Sequence, residues 1–573
     1  MSSDFQVVGT NPAALFTLKV HRGEGMALLA MNWKAGTPSK DLVGFAIEYQ
    51  EPGGHRFYPV NNRIGFPAAD GSVNPQKLSS RLSPIQKFRW VHFPRNADLT
   101  GAFIYRVTPV FMNEHDELSY GDFQEAAIEL QRETYPGALN VAFTRGFVVS
   151  QAFVDYYGGN DPDAALATLL PDKADAGLTF TPTHPKAADA YVWMGFEARR
   201  VILDLLDQAI ADPQAQVRVV AYDLNEPEIV TRIEQLGRRV KVIIDNSDKH
   251  GLPSSAETSA ASRIAVSAGA ENVKRQAMGG LQHNKTIVVD SPTLQAAICG
   301  STNLSWRGFY VQNNHAVLLH GASAARLFKD AFQNYWDHET PGTFGKTSSA
   351  VWNAIGLPGI DAQIAFSPHL QKNALIDSIG KDIAATQSSL LFSLAFLYMT
   401  PGVIKKAITA LKDENRIFSY GISDSAVKGL ELTKPDGTVS VIGTAALKKN
   451  LPEPFRSETS GGNGALMHHK FVVIDFDQPS ARVYFGSFNF SGAADTSNGE
   501  NLLVIRDRRI ATAFMIEALR IFDHYHFRVA QADAKKARKK LVLLRPPRKV
   551  GEVAWWEEDF LDAIKIRDRE LFA

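Results

Sequence analysis

The 573-residue sequence predicts a duplicated α/β fold preceded by an all-β sandwich domain. Three observations lead to this prediction. Residues 1–138 contain short runs of β-forming residues separated by turn residues, and the rest of the chain alternates strand-like with helix-like segments. One pattern of polar residues also occurs twice in the α/β part. A chain of this length forms about two to four domains, because single cores stop growing at roughly 250–300 residues.

The β-sandwich is predicted for residues 1–138. Runs such as "LFTLKV", "MALLAMNW" and "GAFIYRVTPVF" are rich in β-forming residues, and Gly, Pro, Asp and Asn lie between them. Short strands at this spacing are typical of a sandwich. Two segments, "GFAIEYQEPGG" and "YRVTPVF", resemble the middle strands of a fibronectin type III domain. Such a domain is usually a binding or spacer module, so no chemistry is assigned to it.

The α/β part is predicted to form two repeats, residues 139–345 and 346–530, related by a pseudo-twofold axis. In the first, "QVRVVAYDL", "EPEIVTRIEQLG" and "RRVKVIIDN" indicate a strand, a helix and a strand. In the second, "SLLFSLAFLYM", "PGVIKKAITALKDE" and "RIFSYGIS" indicate the same order. "LTFTP" and "IAFSP" match at nearly the spacing that separates the two polar patterns, which supports an internal duplication.

A pattern of His, Lys and Asp occurs once in each repeat, as "HNKTIVVD" and "HHKFVVID". It follows a stretch rich in Ser, Ala and Gly, residues 251–280 or 454–464, expected to form a surface loop or the rim of a cleft. His and Lys stand two apart at the start of a predicted strand, so we expect them to share a face. A cation beside an imidazole packs poorly but suits an anionic phosphoryl group. The pattern comprises His283, Lys285, Asp290, His468, Lys470 and Asp475.

A second element, Gly-Ser-x-Asn, follows each pattern. Its hydroxyl and amide groups can donate hydrogen bonds to the non-bridging oxygens of a phosphate. The residues concerned are Ser301, Asn303, Ser487 and Asn489. One His-x-Lys pair would carry little weight. Two copies, each followed by Gly-Ser-x-Asn, indicate a phosphate-binding active site built from both repeats.

With both motifs intact, the segment from Asn140 to Arg528 resembles the phospholipase D superfamily, and "GSFNFSGAADTSNGENLLVI" resembles its nuclease-like branch. The resemblance implies a duplicated phospholipase D-type fold whose repeats face each other, with both histidines in one site. It also implies a metal-independent phosphodiesterase that forms a covalent phosphohistidine. Because both halves lie in one chain, a monomer can be active.

The repeats differ eleven residues after the motif asparagine, where the second has Glu500 and the first has Asn314. The resemblance implies that this position hydrogen-bonds the far nitrogen of a catalytic histidine. With each partner assigned to its own repeat, we expect Glu500 to keep His468 protonated as the general acid. Asn314 then leaves His283 neutral as the nucleophile. We also expect Asn314 to belong to the phosphate-binding set.

No metal or other cofactor is expected. Neither repeat shows a carboxylate cluster for Mg²⁺ in its sequence, and a lysine beside each histidine would repel a zinc ion. His469 projects from the opposite strand face to His468 and is interpreted as structural. Asp290 and Asp475 complete the catalytic set but rank below the other motif residues, because each ends a strand and is expected to brace the structure.

The composition mainly excludes classes of protein: strongly basic, disulfide-rich and membrane-spanning proteins. The 61 Lys and Arg residues balance 61 Asp and Glu residues, so no overall positive charge indicates a polyanionic partner, although a local basic groove would suffice. The single cysteine, Cys299, excludes an internal disulfide framework and fits a core position. We see no signal peptide, and the longest apolar run, Leu390–Met399, is too short to span a bilayer. We therefore expect a cytoplasmic protein.

The sequence leaves the substrate class open, with a nuclease acting on DNA or RNA favoured over a phospholipase D-type enzyme acting on phospholipids. The C-terminal segment 531–573 contains a basic run, Lys535–Lys549, which suits phosphates or an anionic membrane surface. Trp555 and Trp556 could stack on bases or enter a membrane interface, but packing against the catalytic core is the expected role. A non-catalytic binding module is the third alternative, disfavoured because every motif residue is present.

Overall fold

In the computed structural model, the chain divides into two compact units. The α/β unit comprises Glu133–Ala511, and the β unit comprises Met1–Arg132 together with Thr512–Ala573. The residues that the structure describes are 4–68, 71–94, 96–130, 133–146, 157, 167–400, 402–412, 416–423, 441–443 and 467–573.

The first repeat of the α/β unit is built on a mixed sheet of seven described strands. In spatial order these are Leu139–Phe143, His315–His320, Gln295–Gly300, Thr286–Asp290, Gln216–Ala221, Val240–Asp245 and Val273–Gln276. The strands Gln216–Ala221 and Val240–Asp245 are parallel, because helix Pro227–Leu236 connects them. The Glu226 carboxylate caps this helix by accepting from the Ile229 N–H at 3.0 Å.

The second repeat has a mixed sheet of eight described strands. In spatial order these are Asn353–Ala354, Asp361–Ser367, Glu500–Arg506, Arg482–Gly486, Lys470–Ile474, Ser389–Leu394, Phe418–Ser423 and Val441–Gly443. Strand Ser389–Leu394 is parallel to Phe418–Ser423 and antiparallel to Lys470–Ile474. Helix Gly402–Lys412 connects the parallel pair. Both sheets therefore share one design, and the predicted duplicated α/β fold is confirmed.

Helices accompany both sheets of the α/β unit. Ala322–Asp337 contacts strands Gln295–Gly300 and Thr286–Asp290. The other described α-helices that begin in this unit are Ala187–Ala211, Ala256–Ala268, Pro341–Phe344, Ile376–Ala384, Gly492–Thr496 and Arg508–Lys536. Among the described helices of the chain, none has the length and apolar character needed to cross a membrane.

The predicted match between "LTFTP" and "IAFSP" is wrong. Phe180 lies in a turn, in which its N–H donates to the Ala176 carbonyl at 3.0 Å. The counterpart of strand Asp361–Ser367 is instead Leu139–Phe143, because each pairs antiparallel with the strand that follows the Gly-Ser-x-Asn motif. The first repeat thus has an additional segment after this strand, and the similar spacing of the two short sequences does not reflect the duplication.

The expectation of a surface loop over residues 251–280 is also wrong in part. This stretch contains helix Ala256–Ala268 and strand Val273–Gln276. Ser255 begins the helix, since its Oγ accepts from the Thr258 N–H at 3.1 Å. Ser and Ala are abundant here because they form the cap and the closely packed helix. The corresponding stretch before His468, residues 454–464, lies outside the described residues.

The β unit contains the predicted N-terminal antiparallel sheets. One consists of Gln6–Val8, Phe16–Gly23, Met26–Trp33 and Arg89–His92. The other consists of Tyr58–Pro59, Leu42–Gln50, Ala102–Met112 and Leu118–Tyr120, with Gln124–Glu129 also paired to Ala102–Met112. Phe16 and Leu29 of the first sheet share a core with Phe45 and Tyr105 of the second. The likeness to a fibronectin type III domain stays a prediction.

The C-terminal segment contributes to this β-unit core. The Trp555 ring stacks on Phe88 with centroids 5.1 Å apart, and its Nε1 donates to the Leu42 carbonyl at 2.9 Å. Trp556 lies in the same core and is 6% exposed. The expectation that the two tryptophans pack against the catalytic core is therefore wrong. Short helices Glu558–Leu561 and Ala563–Phe572 complete the chain.

Replacing Trp556 with alanine should lower the free energy of unfolding by about 3–5 kcal/mol, because the change removes buried apolar area and leaves a cavity. Trp556→Phe should cost much less, since Nε1 of Trp556 has no hydrogen-bond partner among the described residues. Urea denaturation measures both effects. Leu561→Ala is the matched control, because Leu561 is 73% exposed. An alanine variant as stable as the parent would contradict the core position of Trp556.

Candidate active site

The structure brings the two motif histidines into one site. His283 and His468 lie just before strands Thr286–Asp290 and Lys470–Ile474 and are 4% and 5% exposed. Their ring centroids are 6.3 Å apart and the ring planes are inclined by 71°. Both imidazoles can therefore flank a single phosphorus atom, as in-line displacement at phosphorus requires.

Each histidine is held by the opposite repeat. His283 Nδ1 lies 3.0 Å from Glu500 Oε2. His468 Nδ1 lies 2.8 Å from Asn314 Oδ1 and 3.1 Å from the carbonyl oxygen of Ser301. The expected pairing within each repeat is therefore wrong.

Backbone hydrogen bonds between the two repeats explain why each histidine is paired with a residue of the other repeat. The Gly499 N–H donates to the Leu281 carbonyl at 2.9 Å. Gly499 directly precedes Glu500, and Leu281 lies two residues before His283. On the other side, the His468 N–H donates to the Asn313 carbonyl at 3.2 Å. The segment that carries each histidine thus runs beside the Glu- or Asn-bearing strand of the other repeat. Sequence spacing alone does not reveal such a crossing.

Burial controls the protonation of the His283–Glu500 pair. Burial, reinforced by the charges of Lys285 and Lys470, lowers the pKa of His283 well below its usual range. Burial also raises the pKa of Glu500, although Lys285 opposes this shift. The imidazolium form of His283 is therefore disfavoured. When Glu500 is ionised, it accepts the hydrogen on Nδ1, so the ring keeps a lone pair at Nε2 and the carboxylate can stabilise a cationic adduct.

His468 has only neutral acceptors at its Nδ1. Both the Asn314 amide oxygen and the Ser301 carbonyl accept, so Nδ1 carries a hydrogen and Nε2 is left for chemistry. Asn314 is held in this orientation because its Nδ2 donates to the Gly308 carbonyl at 2.9 Å. Burial and the Lys470 charge lower the pKa of His468 well below its usual range. Once protonated, His468 is therefore a strong proton donor.

The two motif lysines lie beside the histidines, although the strands begin only at Thr286 and Lys470. Each ammonium donates to the carbonyl oxygen of the histidine two residues before it, at 2.7 Å for Lys470. Lys285 Nζ also lies 4.9 Å from the ring centroid of Tyr222. Burial lowers the pKa of Lys285 to about 7 and that of Lys470 well below its usual range. A bound anion would restore the charged form of both.

Anion binding at this site should weaken as the pH rises through about 7. Because Lys285 must be protonated to attract an anion, sulfate affinity should fall by up to about tenfold per pH unit above that value. Calorimetric titration with sulfate between pH 5.5 and 9 measures the effect. Lys285→Arg is the control, since a guanidinium stays protonated and should move the decline to higher pH. Affinity that is constant up to pH 9 would contradict the shifted lysine.

The Gly-Ser-x-Asn motifs follow strands Gln295–Gly300 and Arg482–Gly486, but their polar groups are largely engaged by protein. Ser301 Oγ donates to Asn314 Oδ1 at 2.9 Å, and Ser487 Oγ accepts from the Asn501 N–H at 3.0 Å. Asn303 Nδ2 donates to Asp223 Oδ2 at 2.6 Å. Asn489 Oδ1 is buried without a partner in the part of the chain that the structure describes. The serines therefore support the histidine partners, and the asparagines keep capacity for a ligand.

The motif aspartates engage protein groups at the far ends of their strands. Asp290 Oδ2 lies 2.5 Å from Lys329 Nζ, and Oδ1 accepts from Gln295. Asp475 Oδ1 accepts from the backbone N–H groups of Gln387 and Ser388, both at 2.9 Å. This geometry suits a bracing role for both.

His469, adjacent to His468, contacts a different histidine. Its ring stacks on that of His315 with centroids 5.5 Å apart and planes inclined by 5°. The two Nδ1 atoms are 3.2 Å apart, so one donates and the other accepts. His469 is fully buried. These contacts agree with the structural interpretation.

A cluster that the sequence did not predict lies beside His283. His250 is bonded to two carboxylates, with Nε2 3.1 Å from Asp223 Oδ1 and Nδ1 2.8 Å from Asp245 Oδ2. Asp223, His250 and Glu257 each place one potential metal-ligand atom within 4.8 Å of the others. The expectation that neither repeat gathers carboxylates is therefore wrong. These residues come from separate segments, so no local sequence motif predicts the cluster.

The two carboxylate partners of His250 favour its protonated form. Burial alone would lower its pKa, but the hydrogen bonds to Asp223 and Asp245 raise the pKa of His250 to about 10. The imidazolium has no free lone pair for a metal. An internal cation thus already balances the carboxylates.

Comparison with known proteins finds a phospholipase D-like domain in each repeat. A family model described as "Cardiolipin synthase, PLD-like domain" matches residues 206–336 and 433–522, and each stretch contains one complete His-Lys-Asp pattern. Each of the two repeats therefore contains a stretch that matches a phospholipase D-like domain. Curated relatives include proteins named phospholipase D from Rickettsia felis, 40% identical over 50 residues, and Rickettsia bellii, 29% identical over 121 residues. These matches cover 9% and 20% of this chain and only 23% and 58% of the relatives.

Two solved structures cover larger shares of this chain at low sequence identity. Phosphatidylserine synthase from Haemophilus influenzae Rd KW20 is 13% identical, covers 60% of this chain and 92% of its own, and gives a TM-score of 0.41. Nuc from Salmonella typhimurium, a phospholipase D family member, is 23% identical, covers 30% of this chain and 95% of its own, and gives a TM-score of 0.18. TM-scores of this size do not bear on substrate.

Proposed function

We propose that the protein is a metal-independent phosphodiesterase that works through a covalent phosphohistidine, with nucleic acid as its substrate. The observation that carries the proposal is the pair of buried imidazoles, His283 and His468, which face one site from opposite repeats. Each Nδ1 is engaged by a partner, so each Nε2 is available for reaction. Such a pair can act as nucleophile and general acid without a metal ion.

His283 is the nucleophile in this proposal. Its Nε2 attacks phosphorus, a P–N bond forms, and the P–O bond to the leaving group breaks. The ring becomes positively charged, and the Glu500 carboxylate, 3.0 Å from Nδ1, stabilises that charge. The nucleophile predicted from the sequence is retained, but for a different reason, because the glutamate serves His283 rather than His468.

His468 is the general acid and then the general base. Protonated Nε2 gives its proton to the leaving oxygen as the P–O bond breaks. A water molecule then attacks phosphorus, His468 takes its proton, and the P–N bond breaks to restore His283. Lys285 and Lys470 neutralise the charge on the non-bridging oxygens. The amide partner Asn314 suits this role, because it does not hold the proton on His468 as a carboxylate would.

A nucleic-acid substrate is supported by two sequence features. The stretch Gly486–Ile505 resembles the nuclease-like branch of the superfamily. Lys536, Arg538, Lys539 and Lys540 form an exposed basic group at the end of helix Arg508–Lys536. Arg548 lies farther along the basic run and is paired with Asp116. Trp555 and Trp556 lie in the β-unit core and no longer support base stacking.

A phospholipid-active enzyme is the second candidate. Its support is that the curated relatives described above are named phospholipase D, although they match this chain over short stretches. A site with two histidines and two lysines attacks the phosphodiester of either substrate class. Whether the diester belongs to a nucleic acid or to a phospholipid therefore has to be tested with both substrates.

Cleavage of labelled single-stranded DNA, single-stranded RNA and phosphatidylcholine vesicles should be compared in the presence of EDTA. The expected result is cleavage of a nucleic acid, with lipid hydrolysis at least about 100-fold slower, since one well-made set of contacts discriminates by a few kcal/mol. The matched control is the double variant His283→Ala, His468→Ala purified identically, which removes contaminating nucleases from the interpretation. Lipid cleavage alone would favour the second candidate. Strict dependence on a divalent metal would end the proposed mechanism.

A further inference from the structure

We propose that Asp223 and His250 are positioning residues of the active site. Asp223 orients the amide of Asn303 toward a bound phosphoryl group, and His250 links Asp223 to the backbone that precedes His283. The proposal rests on the proposed function, because it assigns both residues a part in the same reaction. Neither belongs to the repeated motifs.

Asp223 fixes the orientation of Asn303. Its Oδ2 accepts from Asn303 Nδ2 at 2.6 Å, and Asn303 is 3% exposed. Asn303 Oδ1 is buried and has no partner among the described residues, so the bond to Asp223 decides which way the amide faces. The second hydrogen of Nδ2 then remains for a ligand oxygen.

His250 connects this anchor to the nucleophile's own segment. Asp245, which is fully buried, accepts from His250 at Oδ2 and from the Gln282 N–H at Oδ1, the latter at 2.7 Å. Gln282 directly precedes His283. The chain of contacts from Asn303 through Asp223, His250 and Asp245 therefore ends one residue from the nucleophile.

An aromatic contact runs beside this chain. The Tyr222 ring lies between two imidazoles, with centroids 4.5 Å from His250 and 4.7 Å from His283. The same ring faces Lys285 Nζ at 4.9 Å. His250 thus limits where Tyr222, and with it His283 and Lys285, can move.

Among the residues that the structure describes, the second repeat has no carboxylate at the position that corresponds to Asp223. Val220 pairs with Thr286, the residue after Lys285, and Leu394 pairs with Lys470. Counting along each strand from these pairs, Phe396 occupies the position of Asp223. A phenyl ring offers no carboxylate for Asn489 or for a histidine. Within the described part of the chain, the Asp223–Asn303 contact is thus specific to the repeat that carries His283.

A double-mutant cycle separates a positioning role from a merely structural one. Asp223→Ala, Asn303→Ala and the double variant should be compared for sulfate affinity by calorimetry and for kcat/KM with bis(p-nitrophenyl) phosphate. If Asp223 acts through Asn303, the factor by which Asn303→Ala lowers sulfate affinity and kcat/KM should be at least about fivefold smaller in the Asp223→Ala background than in the parent. The control is Asn489→Ala, whose effect should be the same in both backgrounds within about twofold.

His250 is tested by His250→Gln, which removes the charge between the two aspartates. It should lower kcat for the activated diester by about tenfold, since small misplacement of reacting groups is costly. His369→Gln is the matched control, because His369 is also buried and bonded to a carboxylate, Asp495, at 3.0 Å. It should change kcat by less than about twofold while altering stability comparably.

Two outcomes would overturn the proposal. One is an equal effect of Asn303→Ala in both backgrounds, and the other is an unchanged kcat in folded His250→Gln. Should Asp223→Ala fail to fold, Asp223→Asn replaces it, because it keeps the shape and removes the charge. A parent that binds sulfate with the expected coupling but cleaves no diester would refute the proposed function and leave the positioning role standing.

Discussion

Turnover of every diester should be lost when His283 is replaced by alanine, by a factor of about 10⁴ or more, because no P–N bond can form. In His468→Ala, the turnover of diesters with poor leaving groups should fall by a comparable factor. With a p-nitrophenyl leaving group it should still form the phosphohistidine, since that oxygen leaves without a proton. Single-turnover quench experiments with both substrate types measure these steps.

The matched control for these two variants is His469→Ala, which removes a neighbouring buried histidine whose ring stacks on His315 instead of facing His283. It should keep the ratio of rates for good and poor leaving groups, even if stability falls. Equal loss with both leaving groups in His468→Ala would show that His468 does more than donate a proton. Adduct formation by His283→Ala would contradict the assignment of the nucleophile.

The second large effect is expected from Glu500→Gln. Glutamine can still accept from His283 Nδ1 but lacks the charge that stabilises the cationic adduct, so adduct formation should slow by about 10²–10⁴-fold. Stopped-flow release of p-nitrophenol measures this step. Glutamine matches the shape of the fully buried Glu500 and keeps its hydrogen bond to His283, so the fold should stay intact.

Asn314→Asp supplies the reciprocal control. It gives His468 a carboxylate partner, which should raise the pKa of His468 and weaken it as an acid. Adduct formation should slow with poor leaving groups and change little with p-nitrophenol. If Glu500→Gln behaved in this leaving-group-dependent way and Asn314→Asp did not, the roles of the two histidines would be reversed.

The fold was predictable where the pattern was local. Segments such as "QVRVVAYDL" and "RRVKVIIDN" carry β-branched runs that form buried strands, and the repetition of His-x-Lys with Gly-Ser-x-Asn indicated two similar halves. The position of Leu139–Phe143 was missed, because this short edge strand is separated from the rest of its repeat by the additional segment that follows it.

The sequence predicted which residues form the site but not how they pair. The motif histidines and lysines do meet, but the exchange of Glu500 and Asn314 between repeats depends on backbone crossings that spacing does not encode. His250 was missed for a related reason, since Asp223 follows one strand and Asp245 ends the next, and the two carboxylates come together only in the folded sheet.

The C-terminal tryptophans show a third limit. An aromatic pair near a basic run has the same local sequence whether it stacks on bases or fills a core. Only the long-range packing of Trp555 on Phe88 distinguishes the two. The basic run itself divides, with Arg548 held by Asp116 and Lys539 exposed.

The most direct test of the central claim is to map the covalent intermediate. The parent protein should be mixed with a ³²P-labelled diester in EDTA, quenched by denaturation within one turnover, digested under alkaline conditions and analysed by mass spectrometry. We expect a phosphoryl adduct on the peptide that contains His283, and none in His283→Ala. An adduct on His468 would reverse the assigned roles, and turnover without any histidine adduct would contradict the covalent mechanism.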